Sequence, residues 1–102
     1  MNNHKTKLLT VITEAALESR LINDIEQLGG LGYTITNARG KGSRGLRSGS
    51  WEANANIRIE VICGPELVNQ LAEHLQRKYY DNYAMVTFTS DVEVLRPTKF
   101  SD

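Results

Sequence analysis

The sequence predicts an α+β sandwich in which a β-α-β unit occurs twice and both helices cover one face of a sheet. Three observations predict it. Residues 17–28 and 68–79 carry apolar side chains at steps of three and four, so each makes a helix with one stripe to bury. Short β-branched-rich runs bracket both helices, and a sheet is the surface on which two such stripes are most simply buried. The 102 residues, 40% hydrophobic and 24% charged, suffice for one modest two-layer core and not for two.

Taken in order, "LLTVIT" (residues 8–13) reads as a buried strand. "EAALESRLINDIEQLGG" follows, with Leu17, Leu21, Ile25 and Leu28 on one helical face. Thr13 is expected to cap this helix, Glu14 to favour the positive end of its dipole, and Gly29-Gly30 to end it in left-handed geometry. Residues 33–38 make a second strand. From 55 to 63, Ala55, Ile57, Ile59, Val61 and Cys63 alternate with Asn56, Arg58, Glu60 and Ile62, giving a strand with one apolar and one mostly polar face. Gly64-Pro65-Glu66 opens the second helix, since proline at its first position loses no needed N–H, and Val68, Ala72, Leu75 and Tyr79 form its stripe. Residues 83–89 give a fourth strand with Ala84, Val86 and Phe88 on one side, and residues 92–95 a short edge strand. The doubled unit is the ferredoxin-like βαβ-βαβ sandwich, a single domain over 1–102 with a C-terminal tail at 96–102.

The connection between the second and third strands is too long for that plan. Antiparallel neighbours need a turn of two to five residues, whereas roughly 15 link these, enough to project about 25 Å. Residues 40–55 are therefore expected to form a flexible loop with a function. Within "NARGKGSRGLRSGSW" lie four cations, Arg39, Lys41, Arg44 and Arg47, with no acid before Glu52. The chain has 12 basic and 12 acidic residues, so this is a local concentration of charge. Glycines 40, 42 and 45 let backbone N–H groups turn inward as an anion nest. Ser43 adds a hydroxyl, and Arg44 and Arg47 can grip phosphate oxygens in pairs. A solvated basic loop explains the composition equally well, and both readings stay open on composition alone. A Walker-type site is excluded: Lys41 is followed by Gly42, where that motif needs serine or threonine, and the strand-to-helix context is missing.

Other chemistries find less support. Charge balance argues against broad nucleic-acid binding, and the strands "NIRIEVIC" and "LLTVIT" have no aromatic to stack a base. The lone Cys63 excludes an internal disulfide and reads as a core residue. His4 and His74 have no partner at metal-ligand spacing, and no paired carboxylates stand out for acid–base work. No apolar run reaches the ~20 residues of a bilayer span, and the start is too short for a secretion signal, so a cytoplasmic protein is expected. Glycines 29, 30 and 32 before Thr34 could admit a flat ligand, though a helix stop explains the first two. Tyr80 and Tyr83 exceed the second helix's stripe and are expected at a subunit interface or a ligand cleft.

A ferredoxin-like chain with this loop resembles the PII signalling proteins. "GYTITNARGKGSRGLRSG", "EANANIRIEV" and "KYYDNYAMV" resemble in particular the PII-like branch linked to inorganic carbon, the SbtB-like and carboxysome-associated proteins, over residues 7–95. The resemblance implies a non-catalytic homotrimer that binds ADP or AMP, with cyclic AMP or ATP as further candidates, in clefts between subunits. It also implies bicarbonate as a second ligand and a membrane bicarbonate transporter or carboxysome component as partner, giving membrane association through that transporter. No covalent cofactor, metal or nucleic acid is implied. The loop (the T-loop of the family) would close over the phosphates or dock on the partner. Gly40, Lys41, Gly42, Ser43, Arg44 and Arg47 match its phosphate-contacting part, and Thr34 and Ala38 the strand lining adenine and ribose. Arg58 and Ile59 fall near the cleft, with Tyr83, Ala84, Met85 and Val86 contributed by the neighbour. Classical members carry a modified loop tyrosine and a glycine- and lysine-bearing turn before the fourth strand. Here the loop has Trp51 and no tyrosine, and "YYDNYAM" lacks the turn, so uridylylation and combined ATP and 2-oxoglutarate sensing are not expected. The chain ends "RPTKFSD" where many SbtB-like chains carry a cysteine hairpin, so redox control and slow nucleotide hydrolysis are not expected either. A small phosphate-ester hydrolase using the same loop is the alternative from a different class.

Overall fold

The computed structural model describes residues 6–40 and 55–95. Four strands, β1 (Thr6–Glu14), β2 (Thr34–Ala38), β3 (Asn56–Cys63) and β4 (Met85–Val92), form one sheet in the order β2-β3-β1-β4. Every neighbouring pair is antiparallel. Helices α1 (Glu18–Gln27) and α2 (Pro65–Tyr79) bury their stripes on one face of it, which is the expected ferredoxin-like plan. β2 and β3 are antiparallel neighbours, as the sequence requires; loop residues 41–54 and the tail from 96 onward lie outside the described residues.

Register sorts the strand residues onto two faces. Leu9, Val11, Ile57, Ile59, Val61, Cys63 and Met85 turn toward the helices and meet Leu17, Leu21, Ile25, Val68, Leu71, Leu75 and Tyr79, all buried. A fully buried aliphatic side chain contributes about 1.5–3 kcal/mol, so this layer holds the sandwich together. Among the described residues, no helix covers the opposite face. Its rows run Thr34–Glu60–Thr10–Phe88 and Thr36–Arg58–Ile12–Val86, with Val86 53% and Phe88 44% exposed. Thr10 is fully buried in the middle of that face, and its hydroxyl has no hydrogen-bond partner among the described residues.

Several elements differ from the sequence reading. α1 begins later than expected, behind a single 3-10 turn over Ala15–Leu17, because Thr13 and Glu14 belong to the sheet. Thr13 pairs with Ile57 and Met85, and its hydroxyl donates to the Ala84 carbonyl at 3.0 Å, so it caps no helix. Leu71, which the sequence reading left out, joins the α2 stripe fully buried, and Ala72 packs half-buried against the core beside it. β4 starts at Met85, since the Tyr83 N–H is still held by the Tyr79 carbonyl at 3.0 Å. It runs to Val92, and residues 93–95 form no separate strand. Gly29 does adopt the left-handed conformation expected of a helix stop, with φ 110°. Gly30 is required for space instead: a Cβ there would stand 2.5 Å from the buried Ile25 Cγ2.

Candidate functional site

Antiparallel order brings four segments to one end of the sheet. β2 ends there at Ala38, β3 begins at Asn56, β1 ends at Glu14, and β4 begins at Met85. The root of the long loop and the turn after α2 are thus fixed on the same rim. The Ala15 N–H donates to the Ala55 carbonyl at 2.8 Å, pinning one side of the loop root to the start of the 3-10 turn.

On this rim the predicted residues divide into two groups. Ala38 and Gly40 lead off the β2 edge, whereas Tyr83, Ala84, Met85 and Val86 lie at the β4 edge. Three inter-strand spacings separate the two edges, about 14 Å. Arg58 projects from the helix-free face between them, with its Nε 3.3 Å from Glu60 Oε2. Thr34 lies four residues up β2 from Ala38, about 13 Å along the edge. Ile59 and Met85 direct their side chains into the core, at 0% and 8% exposure, and Ile59 lies inside the sheet between Val11 and Ile35. Lys41, Gly42, Ser43, Arg44 and Arg47 lie outside the described residues.

Between α1 and α2 is a polar cluster that the sequence reading missed. Asp24, on α1, is buried, yet it accepts from the Tyr79 hydroxyl at 2.5 Å and from Lys78 Nζ at 2.9 Å. His74 Nε2 stands 3.5 Å from the same carboxylate, too poorly aligned for a hydrogen bond. Burial alone would push the Asp24 carboxyl up. The hydrogen bonds from Tyr79 and Lys78 and the Lys78 charge outweigh it and hold the carboxyl below its ordinary range. Burial and the bond to Asp24 push the Tyr79 phenol up, and the same carboxylate raises Lys78. The Tyr79 ring meets Tyr83 edge-on at 5.9 Å. Arg20 covers Tyr83, its guanidinium 5.5 Å from the ring centre and its Nη2 donating to the hydroxyl at 3.2 Å. Nearby, the Tyr80 hydroxyl accepts the outward-facing Thr87 N–H of β4 at 3.1 Å. A signal for the cluster existed: Asp24 falls within the Leu21–Ile25–Leu28 stripe, where a solvated carboxylate does not belong.

The described residues can supply backbone edges, hydroxyls and cations to an anionic ligand; no group of three metal-ligating side chains gathers among them. Comparison with known proteins gives this arrangement a family. The model of the nitrogen regulatory protein P-II matches residues 6–99. The chain belongs to the P-II family. Among solved structures, a PII-like signalling protein of Thermus thermophilus is 41% identical, with TM-score 0.80, and the match covers 98% of this chain and 99% of that one. CPII from Thiomonas intermedia, a nitrogen regulatory PII-like protein in a structure bound to ADP, AMP and bicarbonate, is 30% identical, with TM-score 0.77 over 92% of this chain and 97% of that one. Bacillus subtilis GlnK, at 16% identity and TM-score 0.67 over 87% and 86% of the two chains, shares the fold. This P-II protein is therefore a PII-like signalling protein. Among its described residues no helix is long and apolar enough to cross a membrane.

Proposed function

We propose that this P-II protein is a non-catalytic sensor whose homotrimer binds ADP or AMP in clefts between subunits, with bicarbonate as a second ligand. Cyclic AMP is a further candidate, and ATP is disfavoured because the turn before β4 lacks the glycine- and lysine-bearing phosphate ligands. One observation carries the ligand assignment: CPII, similar over nearly its whole length, holds ADP, AMP and bicarbonate. The geometry supports the shared cleft. Ala38 and Gly40 on one edge and Tyr83 to Val86 on the other are held apart by β3 and β1, so they do not line one cleft within a chain. Joining the β2 edge of one copy to the β4 edge of the next brings both groups onto the same ligand. In this reading Thr34 and Ala38 line adenine and ribose, while Gly40, Lys41, Gly42, Ser43, Arg44 and Arg47 fold over the phosphates. Arg58 and the backbone of Ile59 form the cleft floor, and Tyr83, Ala84, Met85 and Val86 of the neighbour close it.

Ligands that bind the closed and open loop unequally shift partner affinity by that difference. The regulated process is inorganic-carbon uptake or carboxysome metabolism, through a bicarbonate transporter or a carboxysome component. The test is calorimetry of the purified oligomer against ADP, AMP and cyclic AMP, with and without bicarbonate, alongside its mass in solution. A trimer that binds ADP and AMP, with affinity altered by bicarbonate, is the expected result. Absence of heat with all three nucleotides at hundreds of micromolar overturns the reading, and sustained phosphate release by the pure protein would replace the sensor with the hydrolase.

A further inference from the structure

In the cluster between α1 and α2, His74 faces the Asp24 carboxylate without bonding to it. Its Nε2 stands 3.5 Å from Asp24 Oδ2, is shut off from water, and has no hydrogen-bond partner among the described residues. A buried polar atom left in that state costs stability. The carboxylate has room for it. Ionised, Asp24 offers about four lone-pair sites. The Tyr79 hydroxyl takes one on Oδ2, and Lys78 Nζ takes one on Oδ1. Whether Nε2 can use a free site depends on its proton. Bare, the nitrogen turns a lone pair toward oxygens that repel it; with both ring nitrogens protonated, the imidazole is a cation with an N–H beside an acceptor.

The surrounding charges leave His74 this one acceptor. On α2, Lys78 already sits on Asp24, and Glu73 lies 4.0 Å from Arg77 at the exposed surface. On α1, Arg20 turns to Tyr83, while Glu26 accepts from the Tyr33 hydroxyl and Glu18 acts on the same phenol. The sheet presents Leu9, Val11, Ile59 and Val61 to the helices, and the ion pair Lys7–Asp91 on that face is closed on itself at 3.0 Å. Lys78 opposes a second cation on its carboxylate, so the gain from protonating His74 is a modest one.

We propose that His74 is a proton-operated brace between α1 and α2: on taking a proton it donates through Nε2 to Asp24 and joins Lys78 and Tyr79 in holding the two helices together. The brace lies within one chain and is independent of the loop and of the proposed cleft. A histidine that gains a partner when charged stabilises the fold on the acid side, and the gain is lost as pH rises through the range in which histidine ionises, about 6–7. Tyr79 also carries the edge-on ring and the N–H of Tyr83, so the state of the brace reaches the turn before β4.

The experiment is urea unfolding of the whole protein at one fixed concentration, at pH 5.5 and pH 8, for wild type, His74→Gln, Asp24→Asn and the double variant. Relative to His74→Gln, the wild-type folding constant should be about threefold higher at pH 5.5 than at pH 8, as for one partly exposed ion pair. In the Asp24→Asn background the same comparison should show no pH dependence. A wild-type advantage equal at both pH values overturns the inference, because His74 would then only pack between the helices. A pH-dependent advantage that persists in Asp24→Asn also overturns it, because the acceptor would then be another group. Lys78→Met, which removes the competing cation and keeps the carboxylate, covers the case in which Asp24→Asn does not fold: the advantage of His74 over Gln at pH 5.5 should grow there, and an unchanged or smaller one overturns the proposal. On wild type alone, nitrogen NMR at pH 5.5 should find the Nε2 proton of His74 protected from exchange with water, and a freely exchanging proton overturns the brace.

Discussion

Asp24 is the residue at which stability and site architecture meet. Its carboxylate is buried and holds Tyr79 and Lys78, so removing either side leaves a polar group without its partner. Asp24→Asn and Tyr79→Phe should each lower unfolding free energy by about 1–3 kcal/mol, read by urea denaturation. The pH dependence has a definite sign. The folded carboxyl lies below its ordinary value, so its stabilisation is complete above that value and disappears as pH falls through the depressed one. Wild type should therefore lose stability below about pH 4, and Asp24→Asn should show a flatter acid limb. At the loop, Arg44→Ala and Arg47→Ala should each weaken ADP binding about tenfold with unchanged melting, if both grip phosphate oxygens. Unchanged affinity in both would move the anion site elsewhere.

At the scale of elements, the two glycines that end α1 separate two physical demands. Gly30→Ala forces a Cβ against Ile25 in the core and should cost about 1–3 kcal/mol through overpacking. Gly29→Ala meets no neighbour but must hold φ near 110°, and should cost about 1 kcal/mol through backbone strain alone. Thermal unfolding of the two variants checks the order. Much of the architecture was legible in the sequence because periodicity reports burial directly. The steps of three and four in α1 and the strict alternation of β3 both reappear in the packing. Boundaries were less legible. Thr13 has the chemistry of a helix cap, and only its strand partners Ile57 and Met85, distant in sequence, commit it to the sheet. At the site, glycine-spaced cations made the loop conspicuous. Asp24 was marked only by its place within the α1 stripe, and its partners Lys78 and Tyr79 are distant in sequence.

For the whole molecule, the helix-free face is where copies are expected to meet. Val86 and Phe88 remain exposed there, and Thr10 is buried with an unpaired hydroxyl between Glu60 and Phe88. Phe88→Asp should leave the isolated fold intact, as its side chain is outside the helix-covered core, and should convert the oligomer to monomer in sedimentation. A trimer that survives this substitution would put the contact elsewhere. The placement of Ala38 and Tyr83 on opposite borders of the sheet has one more consequence. In the proposed shared cleft, each polypeptide owns half of two different pockets and all of none. Two inactive variants, one crippled at the β2 border and the other at the β4 border, should regain binding when unfolded together and reassembled. Random mixing in equal amounts restores about one pocket in four, a fraction that self-contained pockets could never yield.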